Sequence, residues 1–104
     1  MKLINLTGTT LFEINSKQLI KATEGNVVTV DMKRENVCTV GKSPIYRTVV
    51  KGINGLPEPQ KGVIYIVTSL ALNGVPKWRK DVVAPGNLKR KNGIVVGCDG
   101  FRTN

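Results

Sequence analysis

Seven carboxylates, sixteen lysines and arginines and no histidine set the chemistry open to this 104-residue chain. The acids are Glu13, Glu24, Asp31, Glu35, Glu58, Asp81 and Asp99. Acid–base or metal work by carboxylates needs two or more converging on one spot, and no DxD or ExxE cluster occurs here. Asp31 and Glu35 are the nearest pair, and like the others they read as solvated charges balancing the lysines. The missing histidine excludes Ser-His-Asp and Cys-His activation, imidazole general bases and most transition-metal sites. Cys38 and Cys98 stand sixty residues apart with no CxxC pairing, and both read as small buried hydrophobes. Gly41-Lys42-Ser43 is like the end of a phosphate-binding loop. The glycine required five residues earlier is Asn36, however, and Pro44 follows where a helix must begin, so the segment reads as a turn. No catalytic residue, cofactor or metal ligand is expected, and the chain reads as a non-enzyme.

Two cationic segments carry the remaining candidates. In Lys77-Trp78-Arg79-Lys80 an aromatic ring flanked by cations has the makings of a base-stacking, phosphate-holding surface. The structural alternative packs Trp78 on the core edge with its neighbours in water. Lys89-Arg90-Lys91 would add cations to such a nucleic-acid surface, or simply keep a sheet edge solvated and free of aggregation. Trp78, Arg79 and Asp81 also make a candidate protein-binding surface, because Trp and Arg dominate many interfaces. Against this, Arg79 and Asp81 alternate on one face and could simply pair with neighbours, tying a long connection to the barrel.

The elements that must position these residues are short strands. Leu3–Thr7, Leu11–Ile14 and Leu19–Ala22 are separated by turn-like Gly8-Thr9-Thr10 and Asn15-Ser16-Lys17. Val28, Val30 and Met32 alternate with Val27, Thr29 and Asp31 over residues 26–32; Lys33-Arg34-Glu35-Asn36 reads as a break, after which Val37–Val40 and Ile45–Ile53 follow. Residues 54–62 form a loop stiffened by Pro57 and Pro59. Val63–Val67 is apolar on both faces and is expected at the centre of the core. Ser69 is placed to cap one short helix over residues 70–73, which Gly74 and Pro76 end. Asn92-Gly93 predicts a type I′ hairpin between residues 88–91 and 94–98. The expected fold is one mainly β domain over residues 1–104, a small antiparallel barrel or sandwich with a single short helix after the central strand.

The net charge of +9 is spread evenly, eight cations against four acids in residues 1–51 and eight against three in residues 52–104. An evenly basic surface attracts polyanions without marking a basic tail. No apolar run approaches membrane-spanning length, and the first residues lack a leader-type apolar core, so a cytoplasmic protein with no membrane partner is expected.

Four segments together resemble a family of small proteins encoded by bacteriophages, prophages and conjugative elements. They are Ile4-Asn5-Leu6-Thr7, then Gly55-Leu56-Pro57-Glu58-Pro59-Gln60, then residues 62–69, Gly-Val-Ile-Tyr-Ile-Val-Thr-Ser, and finally residues 79–86, Arg-Lys-Asp-Val-Val-Ala-Pro-Gly. They cover about half the chain. Where the family pattern has Pro-His after Asn-Leu-Thr, this chain has Gly8-Thr9. The resemblance implies an origin on a mobile genetic element and brings no catalytic residues with it. The expected function is therefore a non-enzymatic, protein-binding accessory role toward a host or element-encoded protein, through Trp78, Arg79 and Asp81. The alternative is weak, sequence-independent nucleic-acid binding through Trp78, Arg79, Lys80, Lys89, Arg90 and Lys91.

Overall fold

A computed structural model describes residues 1–103. The apolar run after the proline loop forms β6 (Val63–Ile66), which lies between β1 (Lys2–Asn5) and β7 (Val82–Lys91). Beyond β7 come β8 (Ile94–Thr103), β2 (Leu11–Glu13) and β3 (Gln18–Ile20), completing a six-stranded sheet. The sheet curls until its two edges meet. Asn5 bridges to Ala22, and Thr23 N–H donates to the Asn5 carbonyl at 2.9 Å, so the barrel is nearly closed.

β6 is apolar on both faces because it serves two cores. Ile64 and Ile66 face the barrel interior, together with Leu3, Leu11, Ile20, Val83 and Phe101. Each of the six barrel strands thus contributes to that layer, as expected where a small barrel is filled by side chains. Tyr65 and Val67 point the other way, into a second core with Leu6, Val28, Leu72, Val75, Val82 and Ala84. That outer core is roofed by α1 (Ser69–Leu72), which starts one residue earlier than expected: Thr68, not Ser69, is the N-cap, because its hydroxyl accepts from Ala71 N–H at 3.2 Å.

The mainly β barrel with one short helix after the central strand is therefore present. Strand directions are more mixed than the frequent turns imply. β1–β6, β6–β7 and β2–β8 run parallel, whereas β7–β8 and β2–β3 run antiparallel. The β6–β7 crossover uses residues 67–81, with α1 inside it, a length that suits a parallel return. Asn92 and Gly93 both have positive φ, 53° and 80°, as the type I′ hairpin requires.

The largest departure is the middle of the chain. Instead of several short barrel strands, residues 29–54 form one long hairpin outside the barrel. Its strands are β4 (Thr29–Val40) and β5 (Ser43–Asn54), joined by Gly41-Lys42. Lys33-Arg34-Glu35-Asn36 is strand rather than break, because charged side chains cost nothing on a ribbon wet on both faces. Only the base is anchored: Val30 and Ile53 pack on the outer core, and Val50 and Ile53 close on Gly74. A Cβ at Gly74 would sit 2.9 Å from methyl carbons of both, so a hydrogen side chain is what lets the ribbon lie against the end of α1. Residues 36–48 are exposed throughout. The projecting ribbon raises the radius of gyration to 16.2 Å, against about 13 Å for a compact chain of this length.

Ile66 fills the barrel interior with no solvent exposure. Ile66→Ala should therefore cost ~2–5 kcal/mol of a total near ~5–15, measured by urea denaturation. The half-buried Ile64 should lose less on the same change.

Candidate functional site

Among the described residues, the buried polar side chains are Asn5, Glu13 and Arg79, and each fastens a loop to the barrel. Asn5 donates from Nδ2 to the carbonyls of Thr9 (2.8 Å) and Ile20 (3.0 Å). Its Oδ1 accepts from Thr7 N–H (3.0 Å) and the Thr7 hydroxyl (2.6 Å). The Glu13 carboxylate accepts from the backbone N–H groups of Asn15, Ser16 and Gly100 at 2.8–3.0 Å. Those three donors favour the ionised form and hold the carboxyl at about 2, well below its ordinary 4.5.

Arg79 is the third fastener. Its Nε and Nη2 donate to the two Asp81 oxygens at 2.8 and 2.9 Å, and Nη2 also donates to the Pro57 carbonyl at 3.0 Å. The mutual hydrogen bonds raise the guanidinium pKa and lower that of the Asp81 carboxyl. From the other side the Tyr65 hydroxyl donates to the Glu58 carbonyl at 3.1 Å. The proline loop is thus held at two consecutive carbonyls by two buried side chains, Arg79 and Tyr65.

The sequence-derived candidates divide accordingly. Arg79 and Asp81 lie together, in contact with each other and with the proline loop. Trp78 stands beside them with 69% of its surface exposed, its ring 5.6 Å from the Arg79 guanidinium carbon. Lys77 and Lys80 are also exposed there. Lys89, Arg90 and Lys91 lie at the far end of β7, roughly 26 Å along the strand from Val82, so the two cationic groups form no continuous surface. Asp31 and Glu35 lie on one face of β4 about 13 Å apart, and Glu35 instead accepts from Arg47 at 3.2 Å. Cys98 is buried, and burial pushes its thiol pKa up. Cys38, expected to be buried, is exposed because it lies on the free ribbon. Among the described residues no group of His, Cys, Asp or Glu side chains could hold a metal ion, and no helix is long and apolar enough to cross a membrane.

One feature of the site has no counterpart in the sequence-derived candidates. β2 pairs with β8 only at Glu13 and Cys98, and beyond that point the two strands diverge. Between them opens an apolar cleft of about 140 Å³, lined by Leu11, Phe12, Leu19, Leu88, Val95 and Val96 among others. Residues 87–96 on its far wall are exposed throughout. Arg90 is the strand partner of Val95, one of the lining residues, on the β7–β8 hairpin. Periodicity could not reveal this opening, because it depends on where two strands far apart in sequence stop pairing. No protein family, curated protein or solved structure matches the chain.

Two measurements check these assignments. Glu13 lowers its pKa on folding, so it contributes stability fully above about pH 4.5 and loses it as pH falls toward 2. Glu13→Gln should lower the melting temperature at pH 7 and flatten its decline below pH 5; Asp81 leaves a residual slope of the same sign. Arg79→Ala should also be destabilising, since it strands the Asp81 carboxylate and the Pro57 carbonyl. Trp78→Ala should change stability by no more than about 0.5 kcal/mol by chemical denaturation.

Proposed function

We propose that this chain is a non-enzymatic accessory protein of a mobile genetic element, binding a host or element-encoded protein. The observation that carries the protein-binding part is the cleft between β2–β3 and β7–β8. Phe12, Leu19, Leu88, Val95 and Val96 are all exposed there, with Ile94 next to them at 69%. Apolar side chains gathered at one opening, rather than scattered singly, are the mark of a contact surface. Where β8 leaves β2 its outer backbone groups are open to an added strand, and the apolar walls offer places for alternate side chains. An extended, apolar segment with an acidic residue opposite Arg90 fits this opening.

The buried polar groups support a non-enzymatic reading, because Asn5, Glu13 and Arg79 are each committed to holding loops. The family resemblance supports the mobile-element setting. Trp78 is a second exposed anchor on a different part of the surface.

Photo-crosslinking tests the reading. A photoreactive residue at Val95 should give one discrete protein adduct in cells that carry the element, and one at Leu70 on α1 should give none. Val96→Glu should abolish the Val95 adduct while leaving the melting temperature unchanged, because Val96 is already half exposed. Equal labelling from Val95 and Leu70, or an adduct that survives Val96→Glu, would count against the cleft.

A further inference from the structure

The β4–β5 ribbon is not used by the cleft, and its composition is unusual for a surface with no packing duty. It carries Lys33, Arg34, Lys42, Arg47 and Lys51 against Asp31 and Glu35. It also exposes Met32, Val37, Val40, Ile45 and Tyr46. A two-stranded ribbon alone in water is marginally stable, so an exposed one of this length is best explained by something that receives it. We propose that the ribbon is a grip for B-form DNA, inserted into the major groove and holding phosphates on both sides.

Shape, charge placement and side-chain type support this. The major groove admits a two-stranded ribbon, and residues 36–48 are free of any contact with the barrel's cores. Successive side chains point to opposite faces, so Lys33 and Arg34 reach opposite sides of the ribbon. Arg47 pairs with Glu35, which puts it on the Lys33 side. Cations on both faces suit a groove with a phosphate strand along each wall. Arg34 is held in place beforehand, its guanidinium carbon 4.0 Å from the centre of the Tyr46 ring. The Glu35–Arg47 pair is exposed, with Arg47 at 67%, and an exposed pair holds its cation only weakly against a competing phosphate. Val37, Val40 and Ile45 near the tip match the thymine methyl groups that line the groove floor. Charge also sets DNA above a second copy of the chain as the occupant, since two ribbons side by side would oppose five cations to five on chains of +9 each.

Fluorescence anisotropy with a labelled mixed-sequence DNA duplex, between about 50 and 200 mM salt, tests the grip. The double variant Lys33→Glu, Arg34→Glu should weaken binding at least about tenfold at the lower salt and reduce the salt slope by about two. The off-ribbon double variant Lys61→Glu, Lys80→Glu makes the same change in net charge at exposed positions and should shift affinity by less than about threefold. An A-form RNA duplex, whose major groove is too deep and narrow to admit side chains, should bind several-fold more weakly. The grip is refuted if the off-ribbon variant loses as much as the ribbon variant, or if the RNA duplex binds as tightly as DNA. It is refuted equally if the protein ignores DNA and instead dimerises by sedimentation velocity in a way that Val37→Lys abolishes.

Discussion

The barrel depends on the seam that Asn5 closes. A six-stranded sheet of such short strands, left open, would expose two backbone edges and drain water into an interior held by one layer of side chains. Asn5 sits where β1 meets the end of β3, and its backbone carbonyl and both ends of its carboxamide are in use. The side chain ties the Thr7–Thr9 turn to the carbonyl of Ile20, itself one of the interior residues. A buried amide so fully satisfied fixes one register, whereas a purely apolar contact would tolerate sliding.

Glu13 and Arg79 repeat the device elsewhere, and together they explain why certain segments of the chain belong together. The proline loop, the β6 strand and the Arg79–Asp81 stretch read as separate motifs in sequence. In space they are one joint: Tyr65 and Arg79 hold the carbonyls of Glu58 and Pro57, and Asp81 orients Arg79. The proline loop, β6 and the Arg79–Asp81 stretch are thus largely scaffold. Outside that joint lie the divergent β2–β8 opening, the long ribbon and the exposed Trp78.

The parts legible in the sequence are those decided locally or by burial on both faces. β6 announces itself through an uninterrupted apolar run, the Asn92-Gly93 hairpin through the backbone angles its turn needs, and α1 through its glycine–proline stop, while adjacent hydroxyls at Thr68 and Ser69 leave its cap ambiguous by one residue. The ribbon was half legible: its strands alternate, but alternation says nothing about whether a third strand covers them. That is why Cys38 reads as buried and is not, and why residues 33–36 read as a break. The β1–β6 and β2–β8 parallel ladders are hidden because they join segments some sixty and eighty-five residues apart, with no turn to signal them. Arg79 and Asp81 carried both meanings in sequence, and only the position of the Pro57 carbonyl, contributed by a distant loop, shows what the guanidinium holds.

The Glu13–Gly100 bond has a bearing on time as well as on shape. It joins residues 87 positions apart, and β1 meets β6 across a shorter but still long gap, Lys2 pairing with Val63. Contacts of such high sequence separation must overcome loop-closure entropy before they stabilise anything, which slows folding. The β4–β5 hairpin is local and can form while the barrel is still open. During synthesis β1 must therefore wait for β6, and β2 with β3 must wait for β8, before the barrel can seal. The chain finishes its projecting arm before it finishes its body.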